Sequence, residues 1–324
     1  MKTLTYGEAI REALFEEMAS DDRVLVFGED VAGYGGLDGV TQGLQKKFGT
    51  ERVFDTPISE SGFAGMAVGA ALMGMRPVAE MQFSGLLTVP LDQIVNSAAK
   101  ARYVHDGAMS CPLVIRSVTY PAGNAYMGQS LEAWVAHVPG LKVVTPSTPI
   151  DAKGLLLTSI RDPDPVVFFE HKSLYSNEGL VPEETYSIPI GEASLARTGS
   201  DVTIVAWLNM VPAALDAAKE LALEGIDLEV IDLRTLIPLD EEAITRSVSK
   251  TGRLVIAQEA VTRAGFGAEV IAVVANSDVV HHLKAPVERV GNPGVPIPHS
   301  DRLNNHIIPS KDDLIAGVRA VLSS

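Results

Sequence analysis

Along most of the chain, short runs of aliphatic and β-branched residues alternate with segments whose apolar side chains recur every three to four positions. That alternation predicts strands joined by covering helices, an α/β architecture built on parallel sheets. Residues 24–27, 78–81, 113–115, 142–145 and 166–170 read as buried strands, and 91–102 and 149–159 carry the helical period between them. Near the amino terminus Ile10, Leu14 and Met18 repeat at i, i+4 and i+8, which predicts a helix with one face toward a core. From 176 to 200 the pattern fades into Gly, Pro, Ser and Glu, as expected of a solvated connector. A boundary near Ile188 divides the chain into residues 1–187 and 188–324. Beyond it, DVTIVAWL, VPAALDAAKELALEG, IDLEVIDLR, a helix from Pro238 and GRLVIAQEA make βαβαβ, a second and smaller α/β domain. Residues 286–309 are irregular and proline-punctuated before a last helix from Ser310.

Two domains also suit 324 residues, which exceed one ordinary core. A formal charge of −15 repels phosphate backbones and anionic lipid, so neither nucleic acid nor a membrane surface is expected as the main partner. No stretch reaches the roughly 20 apolar residues of a bilayer span. The first 22 residues carry several acidic side chains and no continuous apolar block, so neither a signal nor a transit peptide is expected. Cys111, the single cysteine, has no partner for an internal disulfide, which fits a cytoplasmic location, and its apolar neighbours suggest a packing thiol.

Candidate chemistry concentrates in residues 55–77. Ser59, Glu60 and Ser61 stand before a helix rich in small residues, Gly62, Ala64, Gly65, Ala67, Gly69, Ala70 and Ala71. A helix without a polar face is expected to be buried, and its small residues admit another backbone, as at a subunit interface. Glu60 has two readings: a complement to the helix dipole beside a serine N-cap, or a carboxylate in a dry pocket facing a ligand nitrogen. Glu29 and Asp30 follow a predicted strand, where α/β sheets bind ligands. The alternative for Glu29 is a loop carboxylate satisfied by main-chain N–H groups. Gly33, Gly35 and Gly36 read as turn residues, since they do not form a phosphate-binding G-x-G-x-x-G.

The segments FGEDVAGYGG, RVFDTPISESGFAG, LDQIVNSAAKARY, PGLKVVTPSTPIDAKGLL, IRDPDPVVFFEHKSLY, IDLRTLIPLDEEAI and KTGRLVIAQEA, in this order and spacing, resemble one family. It comprises the beta subunits of thiamine-diphosphate-dependent 2-oxo acid dehydrogenases of the pyruvate, branched-chain and acetoin type. The resemblance implies a transketolase-like pyrimidine-binding domain at 1–187. It also implies a transketolase C-terminal-like domain at 188–324, for dimerisation and partner docking. Implied partners are an alpha subunit in an α2β2 heterotetramer, a lipoyl acyltransferase core and a small-molecule substrate, a 2-oxo acid or acetoin.

By the same resemblance, Glu60 pairs with the N1′ nitrogen of the cofactor's aminopyrimidine and promotes the imino tautomer that activates thiazolium C2. Glu29 lies in an acidic, water-filled connection between paired active sites, and Ile58, Gln82, Leu86 and Val89 contact the cofactor. The family's single-chain cousins hold Mg2+ and diphosphate through a GDG motif, absent here, so an alpha subunit is expected to hold both. A potassium ion would take ligands around Leu113, Ser159, Asp162 and Asp164; the alternative for the two aspartates is a proline-flanked turn.

Two positions depart from the family pattern. Met127 and Gly128 replace a histidine and serine, and the preceding SVTYPAGN looks shortened; a thioether has no titratable proton. Leu86 stands where relatives carry a phenylalanine, keeping an apolar wall without aromatic stacking. Of the other histidines, His105 sits in a polar turn, His137 is expected to be partly buried and structural, and His281, His282, His299 and His306 suggest no metal site. Two further readings stay open: a thiamine-diphosphate-dependent carboligase or decarboxylase that does not use lipoate, and a non-catalytic scaffold subunit.

Overall fold

In the computed structural model, which describes residues 1–120 and 124–324, the alternating pattern becomes two α/β units. They comprise Met1–Tyr120 with Trp134–Ile190, and Pro121–Ala133 with Gly191–Ser324. The elements are β1 (Lys2–Thr5), α1 (Tyr6–Ser20), β2 (Val24–Gly28), α2 (Leu44–Phe48), β3 (Val53–Asp55), α3 (Glu60–Leu72), β4 (Arg76–Met81), α4 (Ala101–Val104), β5 (Val114–Thr119) and α5 (Glu132–Ala136). Then come β6 (Lys142–Val144), α6 (Pro149–Arg161), β7 (Val166–His171), β8 (Glu178–Val181), β9 (Ser194–Arg197), β10 (Val202–Ala206), α7 (Met210–Ala222), β11 (Leu228–Asp232) and β12 (Thr235–Ile237). The last are α8 (Glu241–Thr251), β13 (Leu254–Val261), α9 (Gly267–Ala275), β14 (Glu288–Asn292), α10 (Asp301–Asn304) and α11 (Lys311–Ser323).

In the first unit β6, β7, β5, β4, β2 and β3 lie side by side in that order, all parallel. One face buries Val24, Val26, Val78, Val114, Val118, Val166 and Phe168 against Ile10, Leu14 and Met18 of α1 and Ala152, Leu155 and Leu156 of α6. Each fully buried aliphatic side chain is worth about 1.5–3 kcal/mol against solvent exposure, so this face supplies much of the unit's stability. Helix α1 starts at a capping box, Thr5 accepting from the Glu8 N–H while the Glu8 carboxylate accepts from the Thr5 N–H at 2.8 Å.

The second unit orders its sheet β14, β13, β10, β11 and β9, with only β9 antiparallel. Its core joins Ile204, Val230 and Val255 to Ala214, Ala217 and Leu221 of α7 and Leu314 and Val318 of α11. The expected βαβαβ is present as β10 to β13, and the last helix starts after Ser310 with a capping box. No helix among the described residues is long and apolar enough to cross a membrane.

Four local expectations are corrected. Residues 91–102 are not one α-helix: Gln93–Ala98 forms a π-helical turn, with the Ala99 N–H on Ile94 O, before the short α4. The wider turn keeps Ile94, Ala98 and Ala101 buried at an uneven spacing. Residues 176–200 stay largely exposed but are not irregular throughout, because β8 pairs with β1, β9 pairs with β11 and Ile188 packs on the first core. Residues 286–309 contain β14 and α10, which Gly and Pro disguise. Helix α3 is apolar all round yet buries one face only, with Phe63, Ala64, Ala67, Val68 and Ala71 inside and Ser61, Gly62, Met66 and Gly69 outside.

Candidate active site

Because β2, β3 and β4 run parallel as neighbours, their carboxyl ends open on one rim, the usual ligand crevice of an α/β sheet. Glu29 and Asp30 follow β2, Ile58 and Glu60 follow β3, and Gln82, Leu86 and Val89 follow β4. The turn into Glu29 requires glycine. Gly28 has φ +156°, and a Cβ there would lie 2.6 Å from Glu80 O. The Thr56 N–H closes on Gly28 O at 2.9 Å, tying the exit of β3 to that of β2.

Glu60 opens α3 and is 8% exposed, and its carboxylate takes no hydrogen bond among the described residues. Neither flanking serine serves as the expected side-chain cap: Ser59 makes no capping bond, and Ser61 Oγ donates to Val89 O at 2.8 Å. Burial pushes the Glu29 carboxyl above its ordinary pKa, and the charges of Glu60 and then Asp30 push it further. That coupling puts Glu29 and Glu60 in one electrostatic neighbourhood. Glu29 Oε1 is buried without a partner, so the backbone-satisfied alternative for this residue fails.

Gln82 Nε2 donates to Glu29 O at 3.2 Å and to Asp30 Oδ2 at 3.3 Å. Ile58 and Val89 are exposed apolar side chains and Leu86 is half-buried, on the 3-10 turn Ser84–Thr88 between Gln82 and Val89. Behind that turn the rings of Phe83 and Tyr120 stack at 6.0 Å. A carboxylate free to bind, a second carboxyl with an orphaned oxygen and an apolar wall suit an aminopyrimidine, which offers ring nitrogens and a flat apolar face.

Further buried polar atoms without partners, Thr56 Oγ1, Gln93 Oε1, Ser117 Oγ, Thr119 Oγ1 and Thr145 Oγ1, belong to the same unit. Native interiors satisfy nearly all such groups, so water, ligand or another chain is called for here.

Around the expected potassium donors, Leu113 O accepts from the Val166 N–H at 2.8 Å and Ser159 Oγ donates to Leu155 O at 2.7 Å. Lys142 Nζ holds both Asp162 oxygens at 2.7 and 2.5 Å, and Arg102 Nε holds Asp164 at 2.6 Å. Both Asp162 oxygens and Asp164 Oδ1 are thus engaged by cationic side chains, while Asp164 Oδ2 and main-chain carbonyls with a second lone pair remain as donors.

Met127 is half-buried in a turn whose Tyr126 and Met127 N–H groups both donate to Asn124 Oδ1, at 2.8 and 3.0 Å. Of the apparently shortened loop before it, residues 121–123 lie outside the described residues. His137 is exposed, against the expectation of partial burial; His105, His281, His282, His299 and His306 are exposed as well. Cys111 is buried, and burial with the Asp164 charge pushes its thiol up to about 11, as suits a packing group.

Three features escaped sequence reasoning. Asp55, rather than Glu29, is the carboxylate that main-chain N–H groups satisfy, accepting from Ala32 at 2.7 Å and Gly33 at 3.0 Å. His171 is fully buried at the end of β7, its Nδ1 accepting from the Ser173 N–H at 3.2 Å. Arg116 is fully buried between two glutamates, Nη1 on Glu80 at 2.5 Å and Nε and Nη2 on Glu170 at 2.6 and 2.9 Å. The Tyr175 hydroxyl donates to Glu170 at 2.6 Å. Only the short distance from Asp55 to Glu60 along the chain could have flagged the first, since register brings the others together.

Fold and rim together define a two-unit α/β protein with an acid pair at the carboxyl ends of a parallel sheet. Residues 2–178 match the family described as "Transketolase, pyrimidine binding domain", and residues 191–314 match "Transketolase, C-terminal domain". The pyruvate dehydrogenase E1 component subunit beta of Rickettsia felis is 47% identical over 320 residues, 98% of each chain. The acetoin:2,6-dichlorophenolindophenol oxidoreductase subunit beta of Cupriavidus necator is 46% identical over 333 residues, 99% of this chain and 98% of that one. The 2-oxoisovalerate dehydrogenase subunit beta of Bacillus subtilis is 43% identical over 326 residues, 98% of each. A solved chain titled "Split gene transketolase, inactive beta4 tetramer" shares the fold, with TM-score 0.80 and 24% identity over 99% of this chain and 98% of that one. This chain belongs to the transketolase-like family of 2-oxo acid dehydrogenase E1 beta subunits.

Proposed function

We propose that this chain is the beta half of a thiamine-diphosphate-dependent enzyme that decarboxylates a 2-oxo acid, or cleaves acetoin, and passes the acyl group to a lipoyl carrier. The observation that carries the reading is Glu60, nine-tenths buried, unbonded and coupled to the raised carboxyl of Glu29. Thiamine diphosphate, when bound, supplies a nucleophilic thiazolium carbon that takes up the substrate carbonyl and holds the electrons left by loss of CO2.

The residues of this chain bind and tune the pyrimidine end. Glu60 would hold a proton against the ring nitrogen, Glu29 would moderate its charge, and Ile58, Leu86 and Val89 would exclude water, with Gln82 fixing the Glu29 main chain. An alpha subunit, completing an α2β2 heterotetramer, would hold Mg2+ and the diphosphate. The second unit would serve dimerisation and docking of the acyltransferase core, and potassium would take its ligands from around Leu113, Ser159, Asp162 and Asp164. The carboligase and scaffold readings draw no support from relatives named as dehydrogenase and oxidoreductase subunits.

Coexpression with an alpha-type partner tests the proposal. The assembled complex should reduce an artificial acceptor with pyruvate, a branched 2-oxo acid or acetoin, and Glu60→Gln should lower kcat by at least about a hundredfold. Full activity in Glu60→Gln would remove the reading, and an acyloin or free aldehyde as the sole product would transfer it to a carboligase.

A further inference from the structure

We propose that Asp55 is a positioning residue that fixes Glu29 relative to Glu60. This inference rests on the reading that those two carboxyl groups work together. Asp55 ends β3, five residues before Glu60, and its two oxygens each accept one main-chain N–H from the loop that leaves Glu29: Ala32 on Oδ1 at 2.7 Å and Gly33 on Oδ2 at 3.0 Å. Hydrogen bonds to a charged acceptor are about twice as strong as neutral ones, and a two-point clamp fixes orientation as well as distance.

The same loop is held from other directions. Thr41 Oγ1 donates to Val31 O at 2.6 Å, the Gly36 N–H to Asp30 O at 2.9 Å and Gln82 Nε2 to Glu29 O at 3.2 Å. Asp30 is bent into the left-handed region at φ 58°, a conformation that persists only where neighbours over-determine it. The Asp55 clamp joins the Glu29 loop directly to the segment that leads into Glu60, and it is the side-chain counterpart of the main-chain bond from the Thr56 N–H to Gly28 O at 2.9 Å. A substituent on Gly33 would sit 3.2 Å from Asp55 Oδ2, so the clamp is closed at contact distance.

The test uses the full-length chain for exchange and its complex with the alpha-type partner for kinetics. In Asp55→Ala, amide exchange at Ala32 and Gly33 should accelerate by about tenfold, the loss of a charge-assisted hydrogen bond. Asp55→Asn, which keeps one acceptor oxygen, should fall between. In the complex, kcat should drop about tenfold or more while KM stays within about twofold, because the loss is one of geometry rather than of substrate contact.

Unchanged exchange at Ala32 and Gly33 would overturn the proposal, as would an equal rise throughout the first unit or a kcat within twofold of the parent. Glu60→Gln separates the two levels of argument. If it leaves activity intact, the functional reading fails; if it abolishes activity while Asp55→Ala does not, only the clamp fails.

Discussion

Glu29 sits half-buried with one oxygen unpaired, facing the charge of Glu60, and folding therefore favours its protonated form. The raised carboxyl fixes the sign of a pH effect. Its ordinary value is 4.5; below that the group is neutral both folded and unfolded, and its favourable share of stability is fully present. As pH climbs from 4.5 through the higher folded value, the folded chain must ionise a partly desolvated group beside Glu60, and that share is lost. Glu29→Gln removes the penalty. Its melting temperature should match the parent below pH 4.5, exceed it by a margin that grows as pH rises through the folded value, and then hold that margin, read by thermal unfolding in matched buffers. An equal offset at all pH values would mean that ionisation of Glu29 is not involved. The same residue shows what composition could and could not reveal: its place after a strand was legible from the pattern of β2, whereas its neighbour Glu60 comes from a separate strand, and only parallel pairing brings them to one rim.

Three adjacent strands carry the buried charges Glu80 on β4, Arg116 on β5 and Glu170 on β7, all without exposure. Burial pushes the Glu80 carboxyl up even beside Arg116, whose fork is shared with Glu170. Removing one member leaves uncompensated charge in the interior, and Arg116→Leu should destabilise the chain by about 3–5 kcal/mol in urea unfolding, whereas replacing all three by apolar residues should cost much less. A loss below about 1 kcal/mol for Arg116→Leu would show that water reaches the network. No spacing in the sequence announces such a set, because Glu80 and Arg116 are linked by register and not by period. The elements themselves were far more legible. Strands rich in Val and Ile and the helix with Ile10, Leu14 and Met18 fell where periodicity put them, since local pattern and burial agree there. The misses lie where two signals conflict: Gly291 and Pro293 masked β14, and apolar positions in residues 91–102 suited a wider turn than the α-helix they suggested.

Among the described residues, helix α3 carries apolar side chains on its solvent side. The outer face of α3 presents Met66 at 42% exposure together with Gly62 and Gly69, and Met73 just beyond it is 85% exposed. The inner side packs closely, for a Cβ on Gly65 would touch Gln93 Cγ at 3.4 Å, whereas one on Gly69 would meet nothing within 4 Å. Glycine inside a helix costs about 1 kcal/mol relative to better helix formers, so a gap at Gly69 is best explained by another backbone that must approach there. Gly69→Leu divides folding from assembly. With free space around it and a gain in helix propensity, the variant chain should unfold at the same denaturant concentration as the parent or a higher one. Coexpressed with an alpha-type partner, it should no longer coelute as a heterotetramer in size-exclusion chromatography, because the leucine side chain fills the approach that glycine keeps open. Assembly at parental yield would place the partner elsewhere on this chain and leave the small residues of α3 without a role in the interface.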